Sequence, residues 1–243
     1  MTAYYNIGAG NFSHPDWINV DFPSEHYRSV QAQQAFIAHD LMSCADLPIE
    51  TGSADIVYCS HTIEHVTDEA VQKMLDEAYR VLKPGGGLRL VTPDIALAHR
   101  NWLRRERRFF NPRIISTGYG IPPIGASVTQ MWLHHFASQL STIDADDTAV
   151  RKFSDAEIEA VFADSDLEIG LDYFCKQARF NPRRPENHIN WFDEQKLTEM
   201  VMDAGFVDVW RSGLGQSVYP AMRDVQLFDR HYAISLYVEA SKE

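Results

Sequence analysis

Cysteine is scarce in this 243-residue chain: Cys44, Cys59 and Cys175 are odd in number, widely spaced and never in a C-x-x-C pair. That usage excludes a disulfide framework or a zinc ribbon and suits a reduced compartment. Long apolar runs are missing too, and none approaches the roughly 20 residues of a membrane helix. An apolar strand-like run begins at Ala3, leaving no room for a basic, cleavable leader. The expectation is a soluble cytoplasmic protein with no membrane insertion. Positive charge is in deficit, 22 Lys and Arg against 34 Asp and Glu, for a net charge of -12. A surface built to coat nucleic acid is thereby excluded, because phosphate binding needs clustered cations. No polar tract is long enough for disorder, and the hydrophobic share of 45% can build one sizeable core.

One basic cluster stands against that balance. Arg100, Arg104, Arg105, Arg107, Arg108 and Arg113 lie within fourteen positions, with Glu106 the only carboxylate among them. It reads either as a solvated helix face or as an anion site.

The first hundred residues alternate short apolar runs with turns, the rhythm of a parallel sheet. Strands are expected at 3–7, 17–21, 35–40, 55–60 and 88–93, and ligands bind at the carboxyl ends of such strands. Thr67 caps a helix whose apolar face is Val71, Met74, Leu75, Ala78, Tyr79 and Leu82, and Lys83-Pro84-Gly85-Gly86-Gly87 ends it. From 95 to 190 the alternation stops, so the core is expected at 1–94 and 191–243 with a helical insertion between. That insertion predicts an Arg-rich helix over 96–110, a Pro/Gly loop at 118–125, a helix over 128–140, and another opened by the capping box Ser154-Asp155-Ala156-Glu157. A structureless loop of this length is improbable, so these helices are expected to form a substrate-selecting lid. Asp193 then caps a further helix that Gly205 ends, and strands at 207–212 and 234–240 are expected to pair antiparallel.

Asn6-Ile7-Gly8-Ala9-Gly10-Asn11 follows the first strand, and Asp21 ends the second. Gly8 and Gly10 permit a tight turn and leave space for a ligand, while Asp21 can accept hydrogen bonds from both ribose hydroxyls. Asp40 closes the third strand near where adenine would lie, and Ser60-His61 closes the pocket from the fourth. A dinucleotide fingerprint requires G-x-G-x-x-G before a helix. Here Ser13 occupies the third glycine position and Pro15 follows, which disfavours NAD.

NIGAGN, WINVD, HDL, ADIVYCSHTIEHV, RVLKPGGGLRLVTPD, DAGF and SLYVEASK together resemble the class I S-adenosylmethionine-dependent methyltransferases, notably bacterial methyltransferase-11 relatives associated with polysaccharide and glycan modification. The resemblance covers about 3–95 and 187–243. It implies a Rossmann-like seven-stranded α/β sheet, with the helical insertion after the fifth strand, and S-adenosylmethionine as cofactor. Residue by residue it implies Gly8 and Gly10 around the methionine moiety, Asp21 at ribose, Asp40 and the adjoining Leu41 at adenine, and Ser60 and His61 at the pocket wall. Asn6 stands where many of the family have an acidic residue, and the short 10–21 connection reduces the first helix to a turn.

Methyl transfer from a sulfonium asks mainly for alignment. A sugar hydroxyl is a weak nucleophile, however, and gains from a base or a metal. His61-Thr62-Ile63-Glu64-His65 is the candidate cluster, with His61 or His65 as base and His61, Glu64 and His65 as a possible divalent-ion site. The same Glu-His string occurs without metal in similar methyltransferases, where it orders the loop. His135 or His134 from the insertion could complete either arrangement. Arg100, Arg104, Arg108 and His134 are expected at the acceptor, with Arg183 and Arg184 offering further bidentate anion contacts. The expected reaction is O-methylation of a sugar, glycan or other small hydroxyl acceptor, including anionic ones. A non-catalytic S-adenosylmethionine-binding partner subunit, and N- or C-methylation of a small metabolite, stay open, as does a homodimer.

Overall fold

Apolar runs bounded by turn residues form β1 (Tyr4–Ile7), β2 (Trp17–Asp21), β3 (Ile37–Ala38), β4 (Ala54–Ser60), β5 (Leu82–Pro93), β6 (Asp208–Arg211) and β7 (Ser235–Ser241) in the computed structural model, which describes residues 2–32, 35–110, 125–144, 150–228 and 231–243. They make one sheet in the order β3-β2-β1-β4-β5-β7-β6. The first five pair in parallel, while β7 runs antiparallel to both β5 and β6. This is a seven-stranded, Rossmann-like α/β sheet, as the sequence resemblance implied. The reversal of strand order around β1 and β4 opens a crevice at their carboxyl ends, where open α/β sheets take ligands.

Helix α1 (Arg28–Gln31) is a single turn. The Thr67 hydroxyl accepts from Ala70 N and starts α2 (Asp68–Val81), whose face of Val71, Met74, Leu75, Ala78 and Val81 is buried against the sheet. Helices α3 (Ile95–Leu103), α4 (Val128–His134), α5 (Asp155–Ala163), α6 (Leu167–Cys175) and α7 (Glu194–Asp203) follow. Asp193 caps α7, whose Leu197 and Val201 join the sheet core. The capping box at Ser154 and Glu157 is formed on α5. Apolar residues from Ile95 to Trp191 collect into a separate cluster on α3 to α6, in which Trp102 and Trp132 stack at 5.5 Å between ring centroids. None of the described helices is long and apolar enough to cross a membrane.

Several boundaries differ from the sequence expectation, each for a local reason. β3 is shorter than 35–40 because Asp40 accepts from Met42 N and begins a 3-10 turn over Leu41–Ser43. β5 starts at Leu82 rather than 88, since the Lys-Pro-Gly-Gly-Gly segment is drawn into pairing with the chain beyond β7 through Gly85 N to Lys242 O and Lys242 N to Gly86 O. α3 stops at Leu103 instead of reaching 110, because Arg105 turns left-handed at φ 53°. The helix expected over 128–140 breaks after His134, where Ser138 N donates to His188 O in place of a helical carbonyl. The loop expected at 118–125 lies, apart from Gly125, outside the described residues, as does Arg113.

No helix lies between β1 and β2. Phe12 from that short crossover and Trp17 at the start of β2 pack instead with Tyr58 and with Phe228, far along the chain. Further along the same face of the sheet, Arg89 on β5 and Glu239 on β7 form a fully buried ion pair. Arg89 also donates to Ser212 Oγ and Gly213 O, and its guanidinium lies over the Tyr237 ring.

Candidate active site

The turn after β1 is built by necessity from glycine. Gly8 has φ 70°, and a Cβ there would lie 2.2 Å from both Cγ2 and Oγ1 of Thr62, on the loop after β4. Thr62 Oγ1 donates towards Gly8 O and Ser60 O at 3.1 and 3.2 Å, tying the two loops together. Gly10, at φ 54°, donates its N–H to Asp21 Oδ2 at 3.1 Å. Asp21 also accepts from Phe22 N and Gln31 Nε2, at 2.8 and 3.2 Å. Burial pushes its carboxyl above the usual 3.8, and the bonds from Gln31, Phe22 and Gly10 only partly counter that.

These loops enclose a cavity of about 420 Å³. Every residue expected at the cofactor lines it: Asn6, Gly8, Gly10, Asp21, Asp40, Leu41, Ser60 and His61. Asn6 Oδ1 is buried on this wall with no hydrogen-bond partner. Tyr27, Phe180, Pro185, Leu227 and His231 line the cavity as well, and sequence spacing marked none of them. They arrive from three separate stretches of the chain, so no local pattern records their meeting.

One end of the cavity is rich in imidazole. His61 is held at φ 50°, its Nδ1 3.1 Å from Glu64 Oε1 and its Nε2 2.9 Å from Ser235 Oγ. Ser235 Oγ donates to His231 O, so it receives from His61, and both ring nitrogens of His61 face acceptors. The His231 ring stands edge-on to it at 4.6 Å. Glu64 is almost fully buried and accepts from Thr92 Oγ1 on its other oxygen. Burial alone would raise its carboxyl; the His61 hydrogen bond and the flanking imidazoles outweigh that and hold it down to about 2. His65 lines the cavity, and its Nδ1 donates to Asn187 O at 3.1 Å, which places the ring's lone pair on Nε2.

The insertion residues expected at the acceptor are not brought here. α3 buries Ile95, Ala98 and Trp102, so Arg100 lies on its opposite, exposed side, and Arg104 and Arg108 are exposed beyond its end. None of the three lines the cavity. His134 is bonded to Ser141 Oγ, and burial pushes it down to about 4. His135 packs against Phe109 and Phe110, also pushed down to about 4 by burial, and neither histidine lines the cavity. Arg184 pairs with Asp144 and Glu186. The histidine that does join the cluster is His188, which the sequence showed only as an isolated residue.

Residues 16–90 match the sequence model of the family described as "Methyltransferase domain". No curated protein matches the chain. Similar solved structures include an S-adenosylmethionine-dependent methyltransferase from Thermotoga maritima, described as a possible histamine N-methyltransferase, at 17% identity over 100% of this chain and 83% of that one, with TM-score 0.46. Another, from Mesorhizobium loti, has 12% identity over 99% and 90% of the two chains and TM-score 0.45. A third, from Aquifex aeolicus, has 9% identity over 98% and 81%, and TM-score 0.44. The matched segment spans β2 to β5, and around it stand the strand order with its antiparallel β7 and the glycine turn facing Asp21. In these features the chain resembles the class I S-adenosylmethionine-dependent methyltransferases, and residues 16–90 carry the match to a methyltransferase domain.

Proposed function

We propose that this enzyme methylates a hydroxyl oxygen of a small, neutral acceptor such as a sugar, and that residues 95–190 are an insertion on a core of 1–94 and 191–243 that selects it. The carrying observation is the wall of His61, His65 and His231 at one end of the cavity, which has no Lys or Arg among its described lining residues. That lining favours a neutral acceptor over the anionic one that the arginine cluster suggested.

The cavity fits S-adenosylmethionine. Among the described residues Asn6 Oδ1 is an acceptor with no partner, suited to the amino group of the methionine moiety, and the Gly8 turn packs closely on Thr62 to form the adjoining wall. Asp21 offers its carboxylate to the ribose, and Asp40 and Leu41 flank the adenine end. Asp40 is held in place by the Met42 N–H. Ser60 and His61 border the reacting end. The bound cofactor supplies a methyl carbon on a cationic sulfur, and its transfer forms a carbon–oxygen bond while the carbon–sulfur pair stays on sulfur.

A hydroxyl must shed its proton as it reacts. His65, whose Nε2 stands beside the Glu64 carboxylate, is the residue on this wall through which the hydroxyl is activated. His61 is a positioning residue, since its two nitrogens are engaged by Glu64 and Ser235. Purified protein with S-adenosylmethionine and a panel of free and nucleotide-linked sugars, polyols and amines tests the reading. Oxygen-methylated sugar is expected by mass spectrometry, and His65→Gln should lower kcat while leaving S-adenosylhomocysteine affinity intact. Methylation confined to amines or to anionic acceptors would overturn it.

A further inference from the structure

We propose that Glu64, His65 and His188 bind a first-row divalent cation, Zn²⁺ or a close relative, beside the cavity that His65 lines. One ligand atom from each lies within 4.8 Å of the others. Small side-chain rotations bring such a trio around an ion with bonds of about 2.1 Å.

The orientation of the three side chains is what distinguishes them from a chance cluster. His65 Nδ1 donates to Asn187 O at 3.1 Å, and His188 Nδ1 donates to His135 O at 2.6 Å. A carbonyl oxygen can only accept, so each ring carries its hydrogen on Nδ1 and turns the lone pair of Nε2 to the other side. Backbone carbonyls fix metal-ligating histidines in this same tautomer. His65 Nε2 stands 3.9 Å from Glu64 Oε1, too far for a hydrogen bond and suited to a cation between them. The carboxylate is itself oriented by His61 Nδ1–H and by Thr92 Oγ1–H. Every ligand therefore has a partner on its outer side.

The backbone makes the cluster rigid. Glu64 O accepts from both Ile189 N and Asn190 N, binding the loop after β4 to the segment that carries His188. His188 N donates to Ser138 Oγ, and Ser138 N to His188 O, fixing that segment from the other side. The local sequence spacing pointed to His61 as the first ligand. The fold instead gives His61 to Glu64 as a hydrogen-bond donor and brings His188 from a distant segment.

Two histidines and one carboxylate leave coordination positions open, and His65 faces the cavity. For its catalytic role the inference rests on the hydroxyl-acceptor reading: an acceptor oxygen that coordinates the ion loses its proton to water more readily. Ion binding does not depend on that reading.

The test is titration of the chelator-stripped full chain with Co²⁺ and Zn²⁺, followed by calorimetry and by the visible absorption of bound Co²⁺. One Co²⁺ per chain is expected, with bands of a four- or five-coordinate ion that Zn²⁺ abolishes. Loss of an outer-sphere partner alone weakens such sites roughly 10- to 100-fold, so His188→Gln and Glu64→Gln should each weaken binding about 100-fold or more. His14→Ala, outside the cluster, should leave it unchanged. Should His188→Gln fail to fold by circular dichroism, His65→Gln gives the same readout from a half-buried position. No stoichiometric binding, or equal affinity in the cluster variants, would overturn the ion. A chain that binds Co²⁺ at this site yet methylates only amines would overturn the acceptor reading alone.

Discussion

Gly8→Ala puts the cofactor turn to a direct test. The new Cβ falls 2.2 Å from Cγ2 and Oγ1 of Thr62, so Thr62 has to rotate. An L residue held in the left-handed region costs roughly 1–2 kcal/mol. Rotation of Thr62 also surrenders the hydrogen bond that Oγ1 gives to Gly8 O or Ser60 O, a net loss of about 1 kcal/mol. The sum is about 2–3 kcal/mol, and at this chain length a kilocalorie is worth about 2–4 °C, so Tm should fall by about 5–10 °C. S-adenosylhomocysteine affinity should fall with it, by about tenfold or more, because Gly8 and the displaced Thr62 both line the cavity. Differential scanning fluorimetry with and without S-adenosylhomocysteine measures both effects. The double variant Gly8→Ala/Thr62→Gly separates their sources: removing the Thr62 side chain relieves the contact but not the backbone strain, so the two changes should be non-additive. A Gly8→Ala protein whose Tm moves by less than about 1 °C, with unchanged ligand affinity, would refute the placement of Thr62 against the turn.

Asp21→Asn should weaken S-adenosylhomocysteine about 10- to 100-fold, the worth of a hydrogen bond to a charged group. Since burial raises the Asp21 carboxyl, wild-type affinity should begin to drop at a pH above 3.8 as the solution is acidified, while the Asn variant stays flat in calorimetry. Glu64 has the opposite sign: its carboxyl falls from 4.5 to about 2 on folding, so its stabilisation is complete above 4.5 and is lost as pH falls towards 2. The Tm gap between wild type and Glu64→Gln should therefore narrow across that interval. Glu239→Gln leaves Arg89 buried without its counter-charge and should cost about 3–5 kcal/mol in urea denaturation, whereas Arg89→Met/Glu239→Leu should recover most of the loss. The pair Arg104→Ala and Arg108→Ala should leave acceptor KM unchanged, because both side chains are exposed and away from the cavity; a large rise in KM would return them to the site.

The cavity lining from the first four strands was readable in the sequence because these residues sit at the carboxyl ends of consecutive strands, where order along the chain becomes order across the crevice. Asp21, Asp40 and Ser60 each follow an apolar run, and the parallel register does the rest. Helix starts were equally legible at Thr67, Ser154 and Asp193, since a cap acts over three residues. The acceptor end was not. Arg100, Arg104 and Arg108 have the right chemistry for an anion, but the face they occupy was decided by Trp102 stacking on Trp132 in another helix. His188 meets the loop after β4 through tertiary contacts alone, and Asn187, its neighbour, bonds to His65 across a separation of 122 residues. No spacing rule reaches so far.

The crossover between β1 and β2 bears on how the protein is made. Phe12 and Trp17 are covered by Phe228, and Met222 belongs to the same cluster. A ribosome that has released the first two strands has therefore not yet released the side chains that cover them. Until Phe228 emerges, two aromatic rings beside the glycine turn lack that cover. The turn beside the cavity is thus encoded early and its aromatic support completed only once Phe228 has been made.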